Sequence, residues 1–384
     1  MVSWKQFHLL LSTSSLSTFL PSQVAIDSSL ARPGCFGGAT TLNDVINCHL
    51  LYVVQANYTQ QDYNAAQPTD AQRAAWSVTV SSLLKTDGNC TAVASSLPTA
   101  LKGIYNVFEL KEPAPSSASF CVLAENVSDS DREYKKGWGI MVVPSTRSAV
   151  SRYVHLSALR PRFALETQQQ AVTVFQGIGA KSLYIPGRLW LVYPTPTSCV
   201  TGKVHFITDP TYDQHEMFFD TQSQIINWQT ANGGCPSSTC AYVQFNSKGV
   251  KVNQQYQVDI SVGLDNSTGW YTKHNDYPAK RIKLNLGKQF PSWKIALPSD
   301  STGAVTATDN IEGRLINGVD AAHVCTKPAS PDNTTGKFVH LGESTESRIP
   351  STFDKWVKAF IASFGTTCAK GMVTDSKWGL CVKK

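Results

Sequence analysis

Between residues 119 and 364, short apolar runs alternate with amphipathic stretches. The runs at 119–125, 139–144, 152–157 and 181–186 are rich in β-branched and aromatic side chains and end in turn residues, which predicts strands. Between the last two, Ala171, Val174, Phe175 and Ile178 fall at i, i+3, i+4 and i+7, with Gly179 placed to end a helix over 167–178. The same period marks 213–230 through Phe218, Ile225 and Trp228, and 352–364 through Phe353, Trp356, Val357, Phe360 and Phe364. Further strands are expected at 241–245, 256–263, 292–297 and 337–341. This alternation predicts an α/β domain over 119–384, with a mostly parallel sheet and helices on both faces. Residues 26–118 are less regular; a helix over 69–85 stands out, and the segment reads as a mixed, disulfide-containing region packed on the main domain.

Composition narrows the classes. With 42% hydrophobic and 16% charged residues, the chain is too apolar and too lightly charged to be disordered. At about 150 residues per domain, 384 residues allow two or three domains or one large α/β unit. The net charge of +6, spread over that length, argues for neither a nucleic-acid nor a membrane-surface partner. Lys273, Lys280, Arg281, Lys283 and Lys288 read as the exposed face of a helix whose other face carries Ile282, Leu284 and Leu286. No stretch after the N-terminus reaches the ~20 apolar residues of a membrane span.

Residues 1–25 carry Lys5 and then an apolar stretch ended by Pro21, the pattern of a signal peptide. Asn-x-Ser/Thr sequons fall at Asn57, Asn89, Asn126, Asn266 and Asn333. The ten cysteines include no Cys-x-x-Cys and read as oxidised pairs. Cys235 and Cys240 suit a local loop closure and Cys368 and Cys381 a staple of the C-terminal tail; the other pairings stay open. Together these features predict a secreted, extracellular, disulfide-bonded glycoprotein.

In open α/β sheets chemistry sits in loops beyond the carboxyl ends of strands, which selects 157–167, 187–199, 246–249 and 340–348. Phosphate-binding glycine motifs and the G-x-S-x-G elbow are absent. None of the eight histidines forms a His-x-His or His-Glu-x-x-His motif. His155 and His340 lie in predicted strands and read as buried structural residues, whereas His215 with Glu216 reads as a solvated helix face. Asp129 and Asp131 suit a charged hairpin tip, because the run lacks the glycine and distal glutamate of a calcium loop.

The stretch Tyr153-Val154-His155-Leu156-Ser157-Ala158-Leu159-Arg160-Pro161, with Thr167, Gln170-Ala171, Phe175 and Gly179-Ala180-Lys181-Ser182-Leu183, resembles a group of secreted proteins best represented in fungi. That group reads His-Pro-x-x-Asp-x-x-Thr after the strand, then Gly-Arg-His-Arg, Gln-x-His-Gly-Lys, Gly-Arg-Leu-x-Asn-Gly-Val and Phe-x-His-Ile-Glu-Gln. Its arrangement is similar to the zinc carboxypeptidase and N-formylglutamate or poly-γ-glutamate amidohydrolase folds. The resemblance spans about 120–364 and implies a scaffold on which two His and one acid hold zinc while a late Glu moves the proton.

Scaffold parts of the pattern are present in Gly187-Arg188, Gly313-Arg314-Leu315-Ile316-Asn317-Gly318-Val319 and Phe338-Val339-His340. The metal positions are replaced. Arg160 stands before Pro161, Ala164 takes the acidic position, Leu189-Trp190 follows Gly187-Arg188, and Asn246 or Ser247 replaces the third ligand. Gly342 takes the Glu position, with Glu343 one residue on and so aimed at the opposite face of its strand.

The resemblance therefore implies a pseudoenzyme with no cofactor that binds a small acidic molecule or peptide end through Arg160, Arg162 and Arg188. The plainer reading of these residues is an Arg160–Glu166 pair and two ordinary exposed arginines. Two alternatives remain. One is an active secreted amide or peptide hydrolase that uses zinc, with His155, Glu166 and His340 as candidate ligands and Glu343 and His340 as candidate catalytic groups. The other is a structural or interaction protein of the cell surface. A polar pocket at the carboxyl ends of the strands separates binding from a purely structural role.

Overall fold

The computed structural model describes residues 35–384 apart from 56, 129, 201, 204, 250 and 266–268. The expected signal peptide, Asp129 and the Asn266 sequon lie outside the described residues. Helices α1 (Cys35–Gly38), α2 (Leu42–Tyr52), α3 (Gln60–Ala66), α4 (Asp70–Lys85) and α5 (Cys90–Ser95) precede β1 (Tyr105–Lys111). There follow β2 (Ser119–Glu125), β3 (Ile140–Pro144), β4 (Tyr153–Ala158), α6 (Thr167–Gly177), β5 (Ser182–Ile185), α7 (Met217–Ala231) and β6 (Cys240–Ser247). The chain continues through β7 (Val258–Ser261), α8 (Trp270–Lys273), α9 (Pro278–Gln289), β8 (Ile295–Ala296), α10 (Ile311–Ile316), β9 (Phe338–Glu343), α11 (Phe353–Ser363), β10 (Met372–Thr374) and β11 (Cys381–Lys383).

Local chemistry explains several boundaries. Thr41, Thr59 and Thr69 each cap a helix while the residue at N3 (Asp44, Asp62 or Gln72) reaches back to the cap backbone. Pro278 opens α9, where a missing N–H costs nothing. After α6 the chain reverses at Gly179, φ +58°, where a Cβ would sit 2.6 Å from Ser151 Oγ, so only glycine suits the turn.

Nine strands form one sheet in the order β1-β2-β3-β5-β4-β6-β9-β7-β8. The expectation of a mostly parallel sheet is corrected: only the β5-β4, β4-β6, β6-β9 and β7-β8 ladders are parallel, and the other four are antiparallel. The reason lies in the connections. Strands β1, β2 and β3 are joined by the links 112–118 and 126–139, which hold no helix among the described residues, whereas α6 and α7 supply the crossovers that parallel neighbours need. The sheet is thus mixed, with a parallel centre.

Strand alternation feeds two helical layers. Val154, Leu156, Val243, Val339 and Leu341 join a core with α2, α6, α9 and α11, while Met141, Val143, Tyr242 and Phe338 join one with α4, α5 and α7. Residues before 118 share both cores: β1 pairs with β2 along its whole length, and Trp76 Nε1 of α4 donates to Thr221 Oγ1 of α7 at 2.8 Å.

Disulfides join Cys35–Cys48, Cys90–Cys121, Cys199–Cys325, Cys235–Cys240 and Cys368–Cys381, leaving no free cysteine. The local closure at Cys235–Cys240 and the tail staple at Cys368–Cys381 are those expected from spacing. Among the described residues no helix is long and apolar enough to cross a membrane.

Candidate functional site

From β4 the chain passes through α6 to β5 on one side, then through α7 to β6 on the other. This reversal between β4 and β6 is the topological switch point where α/β sheets open a crevice at their carboxyl edge. A pocket of about 360 Å³ lies there. Its walls are Arg160 after β4, residues 246–249 at the end of β6, His340 of β9, the residues Lys203, His205, Thr211 and Tyr212, and segment 304–310. Three of the four loops selected from sequence contribute. The fourth, 187–199, leads toward the wall residue Lys203, and Cys199–Cys325 and the Val200 N–H bond to Cys325 O (3.0 Å) tie that approach to the chain after α10.

Arg160 is held from two sides. Its guanidinium lies 4.6 Å from the Trp190 ring centroid, and Nη2 pairs with Asp209 Oδ2 at 3.1 Å. Asp209 is itself fixed, because Oδ1 accepts from Thr211 N at 3.0 Å. Arg160 therefore pairs with Asp209 rather than Glu166, which heads α6 at φ +70° and lies near Arg348. Nε of Arg160 has no hydrogen-bond partner.

The alternation of β6 and β9 puts Asn246 and His340 on one face of the sheet, 3.5 Å apart. Burial, with Arg160 beside it, pushes the His340 imidazole down to about 4, so the ring is neutral at pH 7. Asn246 Oδ1, His340 Nδ1 and Thr211 Oγ1 are buried without a partner. At Gly342 a Cβ would lie 3.3 Å from Val305, a wall residue, so the position where the resemblance calls for Glu offers no side chain. Lys248 is consumed internally by Asp259 Oδ2 at 3.2 Å and Asn253 O at 3.1 Å. On the rim, Asp309 meets Lys203 at 2.6 Å, Arg314 at 3.3 Å and His205 at 3.9 Å. His205 beside it, with the Lys203 ion pair, holds its carboxyl well below the usual carboxylate range.

The other sequence candidates lie elsewhere. Arg162, at φ +59°, donates to Leu50 O at 2.9 Å. Arg188 is not an exposed arginine: it is buried against Glu216, with Nε–Oε2 at 3.1 Å and Nη2–Oε1 at 2.5 Å. Glu216 is accordingly buried rather than solvated, and stands at the N-cap position of α7 with its carboxylate turned to Arg188. Neither Arg162 nor Arg188 lines the pocket. His155 sits between Ser182 Oγ (2.8 Å) and Gln229 Oε1 (3.1 Å), stacked on Tyr242, and burial pushes it down to about 3. Glu343 points to the opposite layer, next to Gln170 of α6 and Arg348, where burial pushes its carboxyl up to about 8. Ala164 is fully buried outside the pocket lining.

Zinc does not suit the residues present. A guanidinium, a methyl and an amide or hydroxyl stand where the resemblance requires imidazole and carboxylate. Among the described residues no three His, Cys, Asp or Glu side chains are grouped to hold a metal ion.

Sequence reasoning missed Asp209, the wall residues Lys203, His205, Thr211 and Tyr212, and the wall at 304–310. The Asp209-Pro210-Thr211 turn was a legible signal, since Asp before Pro starts turns that tie its side chain to the backbone two residues on. Four sequon asparagines, Asn57, Asn89, Asn126 and Asn333, are exposed. Neither models of known protein families nor curated protein sequences match the chain.

Proposed function

We propose that this chain is a secreted, disulfide-bonded glycoprotein that binds a small carboxylate-bearing ligand in the switch-point pocket without hydrolysing it. The scaffold would be that of a zinc amidohydrolase or carboxypeptidase whose metal positions have been replaced, and no cofactor takes part. The observation that carries this reading is Arg160, stacked on Trp190 and braced by Asp209 so that its guanidinium is pre-oriented at the pocket wall. A fixed fork of donors favours a carboxylate by charge-assisted hydrogen bonds. The anion site rests on Arg160 alone, because Arg162 and Arg188 are engaged elsewhere.

The hydrolase reading has less support. Its candidate proton carrier, Glu343, and its candidate ligand His340 face opposite sides of β9, and His155 is used within the core. The structural reading does not account for a polar pocket at the switch point.

Calorimetry at low salt with acetate, hexanoate, succinate and citrate tests the proposal. At least one should bind, Arg160→Ala should weaken it at least about tenfold, and added salt should weaken it in the unmodified protein. Absence of heat from all four, and from the sugar acids introduced below, refutes it. Secretion is checked on the protein from a secreting host, where glycosidase treatment should lower the mass by glycans at some of Asn57, Asn89, Asn126 and Asn333.

A further inference from the structure

The chemistry of the pocket walls restricts the ligand beyond its charge. Beyond its own pair with Asp209, Arg160 keeps a buried Nε–H without a partner, whereas Lys248 is bonded internally and Lys203 is paired with Asp309. Asp309 is a fixed negative charge at the rim. The rim cations Lys203 and Arg314 are both bonded to Asp309, so a second carboxylate would have to compete with Asp309 for them. One carboxylate suits the site better than two or three.

Away from Arg160, Thr211, Asn246 and His340 each present a buried polar atom with no partner, and Thr306 and Thr308 of the wall carry further hydroxyls. An apolar tail packed here would leave these groups permanently dry and unpaired, which weakens binding. Ligand hydroxyls, which donate and accept at once, meet the Asn246 carbonyl and either tautomer of His340. The volume of about 360 Å³ is at the small end of small-molecule sites, which run from about 300 to 1,000 Å³.

We infer that the pocket takes a polyhydroxylated monocarboxylate of the sugar-acid class, its carboxylate on Arg160 and its hydroxyls on Thr211, Asn246 and His340. The inference rests on the carboxylate reading above and narrows it. Sites built to hydrogen-bond a hydroxyl discriminate strongly against analogues that lack it.

The test is calorimetry on the full-length glycoprotein with gluconate and glucuronate, which separate open-chain from ring acids, against glucose, hexanoate and citrate. A sugar acid should bind at least about tenfold tighter than each of the other three. Thr211→Val keeps the side-chain shape and removes a hydroxyl with no internal partner. It should therefore leave the melting temperature unchanged or higher, and weaken the sugar acid about tenfold while leaving hexanoate no weaker than in the unmodified protein. Asn246→Leu should act in the same direction and serves if Thr211→Val folds poorly.

If hexanoate or citrate binds as tightly as the sugar acids and still depends on Arg160, the carboxylate reading stands and this inference is overturned. Glucose binding as tightly as gluconate removes the carboxylate from recognition and overturns both. No binding by any of the five overturns this inference, and the carboxylate reading falls with it when acetate and succinate also give no heat.

Discussion

Replacing Arg188 by methionine removes a buried charge while nearly conserving volume. In the native protein the Arg188 and Glu216 side chains are 1% and 5% exposed and joined by two hydrogen bonds. Breaking such a pair from one side strands the other charge in the interior, at about 3–5 kcal/mol. Burial already pushes the Glu216 carboxyl up against the pull of Arg188, and losing the guanidinium raises it further. The sign of the pH dependence follows. In Arg188→Met, folded Glu216 keeps a proton that the unfolded chain releases above about pH 4.3, so stability falls as pH rises through that window. The variant should approach wild type near pH 4 and differ most at pH 8. Arg188→Met with Glu216→Leu removes both charges and should recover all but about 1 kcal/mol. Equilibrium urea unfolding without reductant, at pH 4, 6 and 8, measures all three proteins, and carboxylate binding by the folded variants should match wild type. A single variant within about 1 kcal/mol of wild type at pH 8, with carboxylate affinity lost, would place Arg188 at the ligand and refute the reasoning.

Cys199→Ser with Cys325→Ser opens a loop of 126 residues and should cost about 5 kcal/mol, against about 2 kcal/mol for the 5-residue closure at Cys235–Cys240. It should also weaken ligand binding in the folded protein by releasing the wall residues Lys203 and His205; equal costs for the two pairs in urea unfolding refute this. Glu343→Gln replaces a carboxyl pushed up to about 8 by burial. It should be near neutral at pH 4 and stabilising on the order of 3 kcal/mol at pH 7, and a difference independent of pH counts against a buried neutral acid there. Arg160→His with Asn246→His sets two new imidazoles beside His340 and should create zinc binding retained through dialysis, read by metal analysis. A folded double variant that holds no zinc means that these positions do not correspond to the metal ligands of the resembling group.

Much of the element list was legible because secondary structure is read over short windows. β2 at Ser119–Glu125 coincides with its apolar run, and α6, α7 and α11 end within a few residues of the 3.6-period pattern. Two misses had usable signals. In β1 burial alternates along Tyr105–Lys111 with a period of two at its start, and α2 opens on the Thr41-x-x-Asp44 capping box.

The sequence by itself determined the alternating elements, the two local disulfides, the sequons and the loops from which a site would be built, all of which depend on residues close along the chain. Only the tertiary structure decided strand order, the mixed ladder directions and the partners of long side chains. An arginine can reach several angstroms in any direction, and nothing within ten residues of Arg160 or Arg188 indicates that one meets Asp209 and the other Glu216. Those choices were made by where packing sets Asp209 and the start of α7 against the sheet. Burial there makes a paired charge tolerable and an unpaired one expensive, and this is why Arg160 faces the pocket and Arg188 does not.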